Sequence, residues 1–297
     1  MGSTLYKRKA PLIVFLIPAF IFLTVFLYYP FVRNIINSFC DITGLGTPSQ
    51  GVNQPWYINY QMLLTDPKLH TALKNTVLLT VCTVVFQVGI ALVLALLVDG
   101  IRVGAQLFRT LYFFPIVISA TALGLMFNLI FLYNGGMVNQ LLTNLGLISR
   151  NIDWKDQSHF LFTMFAPVMW QYVGFYFVIL VTGLNNIPLD LYEAASLDGA
   201  TGFARVRYIT LPLLRNVLCT CLVLAITGAL KVFDLPWVMF GAGMPQNQGW
   251  LTGTYMYDQT FNRGNVDYGS AIAVLIVVLG VVLSNVANRV FRPREDL

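Results

Sequence analysis

Few side chains in this sequence could do chemistry, and their spacing limits what kind. Four cysteines (Cys40, Cys82, Cys219, Cys221) and two histidines (His70, His159) form no C-x-x-C pair and no Cys/His cluster. Neither a disulfide framework nor a zinc site is indicated. Three of the cysteines fall inside apolar runs, where a thiol packs as a small hydrophobe. No G-x-x-x-x-G-K-[ST] occurs, so the chain lacks a P-loop for ATP. Asp99 and Asp234 lie at the ends of apolar runs, not at their centres, which argues against the intramembrane acids of an ion-coupled transporter. The His, Asp, Ser and Cys members that a membrane enzyme would gather are scattered. Two stretches remain. One is charged, "LYEAASLDGATGFARVRYITLPLL" (191–214); the other is polar-aromatic, "WQYVGFYF" (170–177).

The elements that must position these residues follow from composition. The 297 residues are 57% hydrophobic and 10% charged, with a mean hydropathy of +0.70, whereas soluble domains carry about 25% charged residues. A helix needs roughly 20 residues to cross the hydrocarbon core. The apolar runs predict six membrane-spanning helices, at 11–33, 73–98, 109–132, 160–184, 213–233 and 270–291. The chain reads as an all-α polytopic membrane protein. The first run follows "YKRK" and is too long for a signal-peptide core, so a retained anchor is expected. Pro18, Pro115 and Pro167 fall inside spans, where neighbouring helices can satisfy the freed carbonyls.

The net charge of +5 sits at span ends and forms no block long enough for a nucleic-acid patch. One side holds Lys7, Arg8, Lys9, Arg102, Arg109, Arg205, Arg207, Arg215, Arg289, Arg292 and Arg294; the other holds Arg33, Lys68, Lys74, Arg150, Lys155, Lys231 and Arg263. The positive-inside rule then makes both termini and the 185–212 loop cytoplasmic. The outer loops 34–72 and 234–269 are rich in Gly, Pro, Asn, Gln, Trp and Tyr, which suits contact surfaces. The inner loop 99–108 is short.

The 185–212 loop reads as helix, sharp turn, helix. Pro188 suits a first helical turn, and Asp190 and Glu193 lie near the positive end of the helix dipole. Gly199 can take the left-handed cap conformation, and a second helical piece starts at Thr201 and runs towards Leu211–Pro212. Such an elbow can transmit force; alternatively it rests on the headgroups, with Arg205 and Arg207 against anionic lipid.

The polar-aromatic stretch offers aromatic faces and neutral hydrogen-bonding groups, the usual lining of a small-molecule pocket. Gln171 and Tyr172 lie near mid-span and either line a pocket or pack. The fifth span offers Thr227, Ala229, Lys231 and Asp234. Lys231 and Asp234 are spaced i, i+3 and can pair on one helix face as a structural ion pair. Trp170 and Tyr176 suit core packing, and Tyr133, Trp154 and Trp237 an interfacial belt. Gln87 and Asn128 suit interhelical hydrogen bonding.

The charged loop carries a resemblance. "EAASLDGA" followed by "ITLP" closely resembles the EAA motif of permease subunits from binding-protein-dependent ABC importers; Glu193, Ala194, Ala195, Asp198, Gly199, Ala200, Ile209, Leu211 and Pro212 match it. "LKNTVLLT" (73–80), "FRTLYFFP" (108–115), "GLNNIPLDLYEAA" (183–195) and "DYGSAIA" (267–273) resemble the carbohydrate branch, so the likeness runs from about residue 70 to the end. "GAGMPQNQGW" (241–250) departs from the branch, which usually shows G-G-P and a nearby Thr.

The resemblance implies a type-I ABC importer permease fold. It divides the chain into 1–69 (tail, first span and outer loop) and 70–297, a five-span core that includes the coupling loop 185–212. The implied role is transport, not catalysis, in a bacterial or archaeal cytoplasmic membrane. The implied partners are a second, homologous permease, a cytoplasmic ATPase dimer that binds the ATP and Mg, and an extracytoplasmic solute-binding protein; no nucleic acid is implied. Glu193 is expected to pair with a basic residue of the ATPase, and Gly199 to provide the bend. Spans four and five are expected to place Gln171, Tyr172, Phe175, Thr227, Ala229 and Lys231 along a sugar path. A glycerol-phosphodiester or polyol is the alternative cargo, and an ion-coupled secondary transporter the rival mechanism.

Overall fold

A computed structural model describes residues 9–99 and 104–291. The basic residues Lys7, Arg8, Arg102, Arg292 and Arg294, and part of the short inner loop, lie outside the described residues. Among those described, helices account for the regular structure and the only β-pairings are two isolated bridges, Cys40–Val52 and Thr43–Asn265. Among the described residues, five helices are long and apolar enough to cross a membrane, and a bent pair brings the number to six if it is one span.

The elements in chain order are α1 (Leu12–Asn37), α2 (Ile58–Thr65), α3 (Pro67–Val98), α4 (Ala105–Val117), α5 (Ala120–Ile130), α6 (Met137–Asn144) and α7 (Phe160–Asn185). The loop helix α8 (Leu189–Leu197) follows. Gly202–Arg205, a wide turn at Val206–Thr210 and Leu211–Leu230 make one continuous helix, α9. The chain ends with α10 (Asp234–Phe240), α11 (Thr252–Tyr257) and α12 (Val266–Phe291).

Prolines shape these helices. The wide turn Val206–Thr210, closed by the Leu211 N–H on the Val206 carbonyl, lies just before Pro212. A similar wide turn, Thr24–Tyr28, lies just before Pro30 in α1. A proline inside a helix frees the carbonyl four residues back, and an extra residue in the preceding turn absorbs the misfit. The span expected at 109–132 is not one straight helix: its two halves, Gln106–Val117 and Ala120–Ile130, meet at 94°. Pro115 weakens the end of α4, Ile118 is extended, and the Ser119 side chain accepts from the Ala122 N–H to start a new helix. This N-cap competes with helix continuation.

The described chain forms two compact units. One holds the residues up to Asp66 with Met256–Leu275. There, Asn59 donates to the Ser38 carbonyl (3.1 Å) and to Asp267 (3.1 Å), and Tyr268 donates to Asp66 (2.8 Å). Arg263 pairs with the buried Asp258 at 2.7 Å. None of the most apolar stretch of α1 is buried.

The other unit holds Pro67–Tyr255 and the chain from Ile276 onward. Its core interleaves Ala91 and Ala95 of α3 with Phe177 and Leu180 of α7 and Leu214 and Ala225 of α9. Small residues on α3 let the helices close up, which in a bilayer supplies packing that lipid would not. Gly174 does the same for α4 and α7, since a Cβ there would collide with the Tyr112 carbonyl.

Candidate functional site: a coupling elbow and a polar cavity

The loop between α7 and α9 is ordered by its own chemistry. Pro188 caps α8 from outside the helix (φ −58°, ψ 134°), and Asp190 sits in the first turn. Gly199, at φ +78°, ends the helix: its N–H donates to the Ser196 carbonyl (3.2 Å) and the Ala200 N–H to the Ala195 carbonyl (2.8 Å). This is the Schellman pattern, which favours glycine at the left-handed position. Thr201 then precedes α9. Tyr192 joins the two helices, with the Arg205 guanidinium 5.1 Å from its ring and its hydroxyl accepting from Thr210 (3.4 Å). Ala195 is buried in the elbow. Glu193, Ala194 and Asp198 face outward, and among the described residues Glu193 makes no ion pair. Ile209 and Leu211 are half-buried, and Pro212 is exposed on the first turns of α9.

At the other end of α9 the helix stops at Leu230, and Lys231–Phe233 form a break before α10 begins at Asp234. Lys231 and Asp234 are therefore not on one helix face, and no ion pair joins them. Asp234 is the first residue of α10, where the helix dipole favours an anion, and Lys231 caps the carboxyl end of α9, where it favours a cation. Both line a cavity of about 280 Å³. Gln171, Tyr172 and Phe175 of α7, Ala229 of α9 and Thr83 and Gln87 of α3 line it as well.

Gln87 holds the wall by donating to the Val168 carbonyl (2.7 Å) across from α3 to α7. Gln171 donates at a longer 3.5 Å to the carbonyl of Ile118, one of those freed by the bend between α4 and α5. One side chain thus serves both the bend and the cavity, as required where irregular backbone lies at membrane depth.

Thr227 does not join the cavity. It donates to the Val223 carbonyl of its own helix (2.8 Å) and lines a separate groove with Gly280 and Ser284 of α12. On α9 the cavity takes Leu224, Ala225, Gly228 and Ala229, and Thr227 falls off that stripe because, at about 100° per residue, it lies roughly 130° round the helix from the centre of those four. A further groove holds Thr182 and Asn186 of α7 with Asn216 and Thr220 of α9.

The end of the bundle away from the elbow is tied by buried polar side chains. Asn139, 1% exposed, donates to the carbonyls of Leu132, Tyr133 and Ile152 and accepts from the Ile152 N–H and the Trp154 indole. Trp154 is accordingly buried, not a lipid-interface residue. Lys155 Nζ donates to Asn128 Oδ1 (2.7 Å) and to the Met239 carbonyl (3.2 Å), near the end of α10. Burial holds this amine below the usual lysine range, a shift that Asp153 partly opposes. His159 sits 2.7 Å from Asp156, and this hydrogen bond lowers the carboxyl of Asp156. The Asn139 and Lys155 ties escaped sequence reading because an isolated Asn or Lys in a loop has no periodic signature; of these partners, Asn128 was the one expected to hydrogen-bond between helices.

A bundle of apolar spans with a polar cavity at a helix break and an exposed charged elbow fits a multi-pass membrane transport component. Comparison with known proteins specifies it: residues 10–296 match the family described as "Binding-protein-dependent transport system inner membrane component", and the chain belongs to that family. The probable ABC transporter permease protein YurN of Bacillus subtilis is 32% identical over 95% of this chain and 96% of its own length. The arabinooligosaccharides transport system permease protein AraP of the same organism is 30% identical, covering 94% and 88% respectively. In fold, the chain is similar to the solved structure of a bacterial ABC transporter involved in the import of the acidic polysaccharide alginate, with a TM-score of 0.82, 22% identity and 96% of each chain covered. The chain is an ABC transporter permease, a transport subunit and not an enzyme. Family membership sets aside the ion-coupled secondary transporter.

Proposed function

We propose that this chain is the membrane-spanning subunit of an ATP-driven importer that moves a sugar or oligosaccharide into the cytoplasm. The observation that carries this reading is the continuity of α9. One helix of 29 residues, roughly 43 Å at 1.5 Å per residue, runs from the elbow at Gly202 to the cavity wall at Leu230. Displacement of the elbow is therefore delivered to the break that carries Lys231 and Asp234. Glu193, exposed beside this lever, meets a basic residue on a separate ATPase subunit, which holds the ATP and Mg. ATP binding by a pair of such subunits draws the elbows of this chain and a homologous second permease together and opens the path outward. A solute-binding protein outside delivers the cargo, and hydrolysis restores the inward state. Both termini lie in the cytoplasm.

The sugar class is supported by the relative that serves arabinooligosaccharides and by the cavity chemistry. Glutamines, a threonine and aromatic faces outnumber fixed charges. Lys231 is the one cationic side chain on the described wall and has Asp234 beside it. A phosphodiester would call for more cations than that, so a neutral polyhydroxylated cargo fits better.

The test is co-purification of the tagged chain from its host. Wild type should bring an EAA-bearing partner permease and a P-loop ATPase. Glu193→Lys should lose most of the ATPase, because the partner's buried cation is left facing a like charge, while the permease pair survives. Retention of the ATPase and of full transport in Glu193→Lys and Glu193→Ala would sink the coupling role.

A further inference from the structure

The outer end of α3 carries two buried polar residues that the proposed transport cycle has not used. Asn75 is 5% and Thr76 1% exposed. The Asn75 side-chain amide donates to the carbonyls of Gln248 (2.6 Å) and Trp250 (3.0 Å). The Thr76 hydroxyl accepts from the Thr252 N–H (3.0 Å) and lies 3.3 Å from the Thr252 hydroxyl. These bonds tie down an outer segment whose neighbouring residues Trp250, Leu251 and Thr252 are almost wholly buried. The next residue, Gly253, lies so close to the cavity wall that an added Cβ would sit 2.9 Å from the Val232 carbonyl. Val232 is the middle of the three-residue break between α9 and α10.

A chain of contacts therefore runs from α3, through Gln248–Gly253, to the break that sets Lys231 and Asp234 on the cavity wall. In the three-residue break the Lys231 and Val232 N–H groups reach back to Gly228 and Ala229, the Phe233 carbonyl accepts from the Trp237 N–H (3.0 Å), and Phe233 sits at φ −141°, ψ −58°. Its position must come from what packs on it, since irregular backbone at membrane depth persists only where protein surrounds it. The tip of the same segment, at Asn247 and Gln248, is exposed, so anything docking there pulls on the tether directly.

We propose that Asn75 and Thr76 are positioning residues of the cavity, acting through the Gln248–Gly253 tether to fix the Lys231–Phe233 break, and that the tether relays docking on the outer face to the cavity wall. The relay part rests on the reading of the cavity as the cargo path; the clamp itself does not.

The experiment uses the complex purified from its host with its partner subunits, in lipid nanodiscs. Hydrogen–deuterium exchange is followed at 229–236 and, as a control, at the inner half of α7. Loss of a buried hydrogen bond of this kind should raise local opening about tenfold. Asn75→Ala and Thr76→Val should each give that rise at 229–236 with the α7 peptide unchanged. Thr76→Ser, which keeps the hydroxyl, should restore wild-type exchange. Gly253→Ala, which alters no polar group, should give the same local rise by pushing on Val232. If Asn75→Ala does not fold, Thr76→Val and Gly253→Ala decide the matter. Folded variants with unchanged exchange at 229–236, or with a rise spread evenly over the chain, overturn the proposal. ATP hydrolysis stimulated by the co-purified binding protein, carrying the ligand it brings from the host, is the second readout. A fall in the clamp variants supports the relay. A local exchange rise with wild-type stimulation leaves the clamp standing and overturns the relay.

Discussion

The two ends of α9 are fastened in opposite ways. At the elbow end, the inner one in the proposed function, the contacts lie near the surface: a guanidinium against the Tyr192 ring, a 3.4 Å hydroxyl contact, and a glycine turn. At the opposite end, the outer one in the same reading, the surrounding segments are locked by buried asparagines and a lysine whose bonds are between 2.6 and 3.3 Å. A weakly fastened end surrounded by water can be gripped and moved by a partner. A strongly fastened end supplies the fixed wall against which the movement is felt. The difference is energetic in origin, because an unpaired polar group costs little in water and several times more in a dry interior.

Substitutions can break this contrast. The largest loss of stability should come from Asn139→Ala, which strands three carbonyls, an N–H and an indole in a buried loop. At least about 3 kcal/mol is expected, read as a lowered thermal midpoint and poor recovery of folded protein. Lys155→Met should cost roughly 2 kcal/mol by freeing Asn128 and the Met239 carbonyl, with the same readout.

Lys155 also predicts a pH dependence. Its folded-state pKa lies below its unfolded one, so between the two values the unfolded chain binds more protons and stability rises with pH. The rise belongs to the window just below the ordinary lysine value of about 10.4. The neutral amine still has two N–H groups for both acceptors, so deprotonation should not break the clamp. Melting curves across that window should show the rise in wild type and its absence in Lys155→Met.

At the inner end the effects should be smaller. Gly199→Ala forces a side chain into φ +78° and should cost about 1 kcal/mol. Tyr192→Phe should change stability by less than about 0.5 kcal/mol, because its hydroxyl contact is long and partly exposed. A larger loss from Tyr192→Phe than from Lys155→Met would reverse the comparison and make the elbow the fixed end.

Much of the inner end was legible in the sequence. Pro188, Asp190, Gly199 and Thr201 are local signals, and helix, turn and helix fall within a residue or so of where those signals put them. The spans were legible too, since a run of some 20 apolar residues needs no partner to be recognised. The bend in the expected third span was less so. Pro115 gave notice of a weak point, but the N-cap at Ser119 decides against continuation only when Gln171 from another helix can take up a freed carbonyl. Lys231 and Asp234 looked like an i, i+3 pair because spacing assumes an unbroken helix, and the break between them depends on Gly253 packing against Val232. Thr227 was placed with the cavity for the same reason: polarity in a span was visible, but its direction was not.

The sequence by itself therefore determined the class, the places of most apolar spans, the elbow and its glycine turn. These depend on hydrophobic length and on backbone preferences that act within a few residues. Tertiary structure alone decided where α9 breaks, that Lys231 and Asp234 stand apart on one cavity wall, and that Asn75, Asn139 and Lys155 tie down the outer face. Those outcomes depend on buried polar groups finding partners as far as 175 residues away, and a buried donor is satisfied by whichever carbonyl the packing brings within reach.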